Sequence, residues 1–213
     1  MKKYGLLIFL LSVPIYLLSQ NFDIDLLRKI NLDRNTDLDT LFICVANSTA
    51  YIAYALPFLF LLFGWIKKVP IIMQKAFYMG ASVLASGIIS TLLKLIVERP
   101  RPFDLYPELE KLSAGGSYSF PSGHTADAFA FATAICIAYP RWYVIIPAYA
   151  WAGAVGYSRM DLGVHYPSDV MAGVIIGAAT SVICFLIQKW MIRKWMRRQR
   201  FNKMEGRSPK SGK

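Results

Sequence analysis

Residues 170–200 read VMAGVIIGAATSVICFLIQKWMIRKWMRRQR, an uncharged apolar stretch that gives way to a dense run of Lys and Arg with tryptophan among them. An apolar run of about 20 residues is what a helix needs to cross roughly 30 Å of hydrocarbon. The basic segment behind it is the flank that stays on the cytoplasmic side. Residues 189–213 hold ten Lys or Arg against the single Glu205, so this segment carries +9 of the formal +11 of the chain. Nucleic acid would also attract such a charge. Direct attachment to an apolar run, with Trp190, Trp195 and Phe201 spaced through it, favours anchoring at anionic lipid and gives no reason to invoke nucleic acid. The whole chain agrees: of 213 residues, 55% are hydrophobic and only 17% charged, so the bilayer is its solvent.

Working outward, further apolar runs lie near 4–19, 40–65, 72–97, 124–140 and 142–157, which with 170–192 makes an all-α polytopic bundle of six transmembrane helices. The first run follows Lys2 and Lys3. It lacks a small-residue cleavage site and contains Pro14, so it reads as a retained helix and not a secretory signal. Next comes NFDIDLLRKINLDRN, residues 21–35, with Phe22, Leu26, Leu27 and Ile30 at helical spacing against Asp23, Asp25, Arg28 and Lys29. This predicts an amphipathic helix in the interface. No internal repeat or second domain breaks the pattern, so residues 1–195 form one membrane domain and 196–213 a basic, unstructured cytoplasmic tail. Cys44, Cys136 and Cys184 sit in separate apolar runs without metal-binding spacing and read as buried hydrophobes. The pairs Gly153/Gly156 and Gly173/Gly177 suit close helix packing.

With the amino terminus inside, Lys2, Lys3, Lys67, Lys68, Arg141 and the basic tail all fall on the cytoplasmic side. Segments 20–39, 98–123 and 158–169 are then outside. They hold Arg99, Arg101 and Arg159, where topology asks for no cations. The last holds His165, in GVHYPSD, and the second ends directly before His124, in FPSGHT, so both histidines of the chain stand on this side. Lys94, Arg101 and Arg159 at one interface would repel one another unless an anion sat between them, and the guanidinium fork matches phosphate oxygens. Pro121 and Gly123 shape a turn, Ser122 is placed to cap the next helix, and its free N–H groups face an anion with the helix dipole behind them. Asp169, four residues beyond His165, can accept from one ring nitrogen and leave the other bare to attack phosphorus, while His124 protonates the departing oxygen. Arg99, off this spacing, reads as an ordinary interfacial cation, Asp127 as a first-turn carboxylate and Asp161 as a loop residue.

These residues resemble the type 2 phosphatidic acid phosphatase superfamily, whose membrane members cleave lipid phosphates and whose soluble relatives include vanadium haloperoxidases. Three motifs carry the resemblance: Lys94, six residues, Arg101-Pro102; Pro121 to His124; and Ser158-Arg159, five residues, His165, three residues, Asp169. It implies a phosphohistidine intermediate formed without metal or other cofactor. His165 is the nucleophile, Asp169 its orienter, His124 the general acid, and Lys94, Arg101, Ser122, Gly123 and Arg159 the phosphate ligands. The implied partner is a lipid phosphate in the bacterial cytoplasmic membrane, met on the outer face. Undecaprenyl diphosphate, phosphatidylglycerophosphate, phosphatidic acid and lipid A phosphates all present such a group. Two other readings stand beside this one, the first with the same chemistry. A phosphotransferase would pass the phosphoryl group to a second lipid. A transporter would place its ionisable groups near the bilayer midplane, whereas here they cluster at one end of the runs. Oligomeric state has no signature in the sequence.

Overall fold

The computed structural model describes residues 21–113 and 115–204, whose regular structure is entirely helical. The expected crossing at 4–19 lies outside the described residues, as does the end of the tail from 205. Residues 21–32 form α1. A short 3-10 turn, Thr36–Leu38, leads into α2 (Asp39–Thr49), which a π-helical segment, Ala50–Ala55, joins to α3 (Leu56–Ile66). Then come α4 (Pro70–Val97), the short α5 (Pro102–Leu105), α6 (Gly123–Ala138), α7 (Trp142–Asp161) and α8 (Pro167–Met204). Among the described residues, three stretches are long and apolar enough to cross a membrane: Thr36–Ile66, Pro70–Leu105 and Pro167–Phe201. The apolar α6 is shorter. Residues 196–204, assigned to the tail by composition, continue α8 as helix.

Local chemistry sets the boundaries that matter for the site. Proline opens α4, α5 and α8, where its missing N–H leaves no bond unmade. Glu98 ends α4 in the left-handed region (φ 49°), its N–H donating to the Lys94 carbonyl at 3.0 Å, and Pro100 then prevents the helix from resuming. That turn swings Arg99 and Arg101 back across the end of the bundle.

At the centre, α6 packs against α4, α7 and α8. Its buried Ala126, Ala128, Ala130, Ala132 and Ala134 keep the side chains small enough for close approach. Opposite them, a Cβ added at Gly173 would stand 2.8 Å from the Ser122 carbonyl oxygen, and one at Gly177 only 2.2 Å from that of Ala126. The α6–α8 contact thus needs both glycines, and it locks the start of α6 to the start of α8. Gly156 is less constrained, since an added Cβ would stand 3.2 Å from a Val170 side-chain methyl, and Gly153 has open space around it and takes no part in packing. Cys44 is exposed on the outside of the bundle, while Cys136 is buried as expected.

The face of α1 differs from the one its pattern predicts. Asp23, Ile24, Leu27 and Asn31 are buried, whereas Phe22 is 67% exposed. Ile24 and Leu27 pack with Leu109 and Tyr166, and the Asn31 amide donates to the carbonyls of Asp161 (2.7 Å) and Glu110 (3.1 Å). Helical periodicity places side chains around an axis but cannot tell which stripe meets protein. Here the stripe carrying the carboxylate does, because a cation waits beneath it.

Candidate active site

The ends of α4, α6, α7 and α8, with the segments 98–101 and 113–122, bring the sequence-predicted residues into one cluster. Lys94 leaves the last turn of α4, and its Nζ donates to the Tyr118 carbonyl at 2.6 Å. Arg101 is buried, its Nε on the Ser117 carbonyl (2.6 Å) and its Nη1 on that of Val164 (3.0 Å). Arg159, in the last turn of α7, is 2% exposed; its Nη1 reaches Ser113 Oγ at 3.3 Å and its Nε has no partner. All three thus donate to the 113–118 segment. They stand close enough to repel one another; all three act on His124, and Arg101 and Arg159 act on His165 as well. None of the ion pairs among the described residues involves any of the three. Lys94 is half-buried, Arg101 and Arg159 are buried, and Asp169 and Asp104 act on them only from a distance; buried cations without an ion pair are costly unless a ligand supplies the anion.

Ser122 stands at the N-cap of α6, but its hydroxyl bonds Thr125 Oγ1 at 2.8 Å and caps no backbone N–H, contrary to the sequence expectation. The first helical bond runs from Ala126 N–H to the Ser122 carbonyl, so the N–H groups of Gly123, His124 and Thr125 have no acceptor within the helix. A Cβ at Gly123 would meet nothing within 4 Å. The positive end of α6 therefore looks into free space beside the cations.

His165 lies in the turn between α7 and α8 and is 2% exposed. Its Nδ1 is 3.4 Å from Ser119 Oγ and 3.5 Å from Asp169 Oδ2, so the proton of the neutral ring belongs on Nδ1 and the lone pair on Nε2. Burial pushes its pKa well below the usual histidine range. Asp169 opposes that shift and Arg101 and Arg159 add to it, so the ring is neutral at neutral pH. Asp169 is fully buried and held on every side: Ser119 Oγ and the Tyr166 N–H (3.1 Å) donate to Oδ2, and Arg99 Nη1 donates to Oδ1 at 2.7 Å. The Asp169 carbonyl accepts from the Ser122 N–H at 3.0 Å, which ties the two histidine-bearing segments together.

Arg99 is the residue that spacing misjudged. Besides Asp169 it bonds Asp23 (Nη2 to Oδ2, 2.8 Å) and Ser168 Oγ (2.7 Å), and its guanidinium lies 3.8 Å from the Tyr166 ring centroid. Asp23 in turn accepts from the Ser168 N–H at 2.8 Å and from its hydroxyl. Arg99, Asp23, Ser168 and Ser119 were all missed as site residues. The one available signal was a cation on the outer side without a topological role. Asp161 ends α7 buried, not in a loop. Asp127, in the second turn of α6, accepts from the Tyr54 hydroxyl at 2.6 Å. Among the described residues no group of three or more His, Cys, Asp or Glu is arranged to hold a metal ion. What the cluster offers is an anion cradle with a neutral imidazole on one side and a second histidine on the other.

A family model described as the PAP2 superfamily matches residues 75–193. The lipid A 1-phosphatase of Rhizobium johnstonii is 34% identical over 116 residues, covering 52% of this chain and 46% of that protein. The undecaprenyl-diphosphatase of Sulfolobus acidocaldarius is 28% identical over 199 residues, covering 88% of this chain and 93% of that protein. The chain thus spans about half the length of the lipid A 1-phosphatases it matches and nearly all of the undecaprenyl-diphosphatase. Among solved structures, Aquifex aeolicus LpxE aligns with a TM-score of 0.65 at 28% identity, covering 77% of this chain and 94% of that one.

Proposed function

The chain belongs to the PAP2 superfamily and is an integral membrane protein, and on that premise we propose that it is a metal-independent phosphatase of lipid phosphates working through a phosphohistidine on His165. One observation carries the reading: Lys94, Arg101 and Arg159 converge beside both histidines with no carboxylate paired to any of them, while the nearby carboxylates Asp23 and Asp169 are taken by Arg99. An incoming phosphate supplies the missing charge.

The chemistry then follows from the geometry. The phosphate is held by the three cations and the N–H groups at the start of α6, near Ser122 and Gly123. The Nε2 lone pair of His165 forms a P–N bond as the P–O bond to the lipid breaks, and His124 gives its proton to the departing alkoxide. Asp169, fixed by Arg99 and Ser119, steadies the imidazolium that forms. Water then attacks phosphorus, its proton passes to His124, and the P–N bond breaks to release phosphate. The cations provide the charge stabilisation that a metal ion provides elsewhere.

The same reading gives six crossings: residues 4–19, the rod from Thr36 to Ile66, α4, α6, α7 and α8. Both termini are cytoplasmic, and α1 and the cluster face outward from a bacterial cytoplasmic membrane. A cysteine introduced at position 116 should react with an impermeant reagent in intact cells, and labelling only after lysis would overturn this topology. For the chemistry, purified protein should release inorganic phosphate from lipid phosphates without an added acceptor lipid. Release should persist in EDTA and be inhibited by vanadate, a mimic of pentacoordinate phosphorus. Activity lost to chelator and restored by a divalent ion would overturn the mechanism.

A further inference from the structure

Beside the cation cluster, a cleft of about 450 Å³ opens between α4, α6 and the π-helical segment after α2, lined by Tyr54, Gly87, Ser90, Lys94, Gly123 and Asp127 among others. Lys94 and Gly123 also belong to the phosphate cradle, so the cleft begins where the phosphate sits. Two polar atoms inside it have no explained role. Asp127 lies one turn beyond His124; its Oδ2 is held by the Tyr54 hydroxyl, while its Oδ1, shielded from solvent, has no hydrogen-bond partner. Ser90 Oγ is likewise buried without a partner. Beyond them, Tyr54 and Leu84 are shared with an apolar groove of about 340 Å³ that runs on between α3 and α4 past Pro57, Phe77 and Gly80. The order of chemistry along this path is cation, then orphaned acceptor and hydroxyl, then hydrocarbon.

That order describes a lipid seen from its phosphate. Resting on the phosphatase reading above, we propose that the Tyr54–Asp127 cleft is the leaving-group subsite, and that it takes a lipid monophosphate whose leaving side bears a hydroxyl or amide N–H. Oδ1 and Ser90 Oγ lie shielded in the cleft wall, so binding turns the Asp127 and Ser90 side chains toward the ligand, where the acceptor Oδ1 is satisfied by such a donor and Ser90 offers a second bond to it. A diphosphate would instead bring its second anionic phosphate against a shielded carboxylate, in surroundings of low dielectric where like charges repel strongly. The apolar groove then receives the chain. Selectivity within the family's chemistry resides in Asp127, one helical turn from His124, and the phosphate ligands have no part in it. The role differs from a first-turn carboxylate that only complements the helix dipole, since Asp127 lies in the second turn, with one oxygen clamped by Tyr54 and the other left without a partner in the wall of the cleft.

The test compares kcat/KM of the full chain in detergent micelles on a diacylated glucosamine 1-phosphate, which carries hydroxyl and amide donors, and on undecaprenyl diphosphate. Each is divided by the same protein's rate on p-nitrophenyl phosphate, which needs only the phosphate cradle. Wild type should favour the glucosamine lipid, and Asp127→Asn should shift the ratio at least tenfold toward the diphosphate. Gly87→Ala should lower the glucosamine lipid relative to the aryl ester, because its methyl group would lie 3.6 Å from Asp127 Oδ1 and 3.4 Å from the Tyr54 hydroxyl without altering charge. An unchanged ratio in Asp127→Asn, or a wild type that prefers undecaprenyl diphosphate and loses that preference in the variant, overturns the subsite assignment while leaving the phosphatase reading intact. A wild type inert on all three substrates removes the phosphatase reading and this inference with it.

Discussion

Arg99 and Arg101 are two residues apart, yet they belong to regions with opposite electrostatics. Around Arg99 every charge is answered: its guanidinium spans Asp23 at 2.8 Å and Asp169 at 2.7 Å, with Ser168 and the Tyr166 ring completing the shell. Around Arg101, together with Lys94 and Arg159, the donors meet backbone carbonyls and one serine hydroxyl, and no carboxylate pairs with any of them. The first region is complete within the chain and serves to hold Asp169. The second has no ion pair of its own, and in the proposed reading an incoming anion completes it. A compensated cation stabilises the fold, whereas an uncompensated one is retained at a stability cost for what it binds, so the two should respond to mutation with opposite signs.

The largest effect is expected inside the uncompensated region. General acid assistance is worth about 10²–10⁴-fold, so His124→Ala should lower kcat on a lipid phosphate by that order and much less on an aryl phosphate whose phenolate leaves unaided. Equal losses on both, measured at saturation, would mean that His124 is not the leaving-group acid. Next, Arg159→Met should reduce kcat/KM by about 10²–10³-fold, the range for deleting one transition-state donor. Its melting temperature should stay level or rise, because a buried unpaired cation is gone; a large fall would place Arg159 with the compensated region.

Arg99→Met should do the reverse to the fold. Removing it strands Asp23 and Asp169, and breaking a buried pair costs about 3–5 kcal/mol, read as a drop in melting temperature on the order of 10 °C. Activity falls as well, through Asp169, and Asp23→Asn should reproduce part of both losses; a variant as stable as wild type would remove the distinction between the regions. Orthovanadate at 100 times its Kd should stabilise the wild type by about 2.7 kcal/mol and leave Arg159→Met nearly unmoved. The smallest effect concerns His165, whose folded pKa is depressed by burial. Below about pH 6.5 the unfolded chain takes up a proton that the folded ring refuses, so stability falls as pH falls, by up to about 1.4 kcal/mol per pH unit. His165→Gln should flatten that slope.

The same contrast separates what the sequence made legible from what it did not. Lys94, Arg101, His124, Arg159, His165 and Asp169 could be named because their spacings are local and each lies at the end of an apolar run. The helices Pro70–Val97 and Gly123–Ala138 fall within a few residues of the runs at 72–97 and 124–140. The compensated region was illegible because its members meet across the fold: Ser168 and Asp23 are 145 residues apart, and Arg99 and Asp169 are 70. The left-handed turn at Glu98 precedes both arginines, and it is the contacts across the fold that set Arg99 on the carboxylates and Arg101 on backbone carbonyls. Asp23 was assigned to the solvent side of α1 for a related reason: a hydrophobicity pattern assigns a carboxylate to water unless its partner is known. The Tyr54–Asp127 pair is hidden in the same way, 73 residues apart and bridging two helices.

The account turns on His165 carrying the phosphoryl group while the uncompensated cations hold it. The most direct measurement is a rapid acid-free quench of full-length protein turning over a 32P-labelled lipid phosphate, followed by peptide mapping under alkaline conditions that preserve phosphohistidine. The label should appear on His165 at levels that rise and decay with turnover, should accumulate less in Arg159→Met, and should be absent from His165→Ala, which should be inactive on lipid and aryl substrates alike. Label on another residue, or undiminished turnover by His165→Ala, would contradict the account.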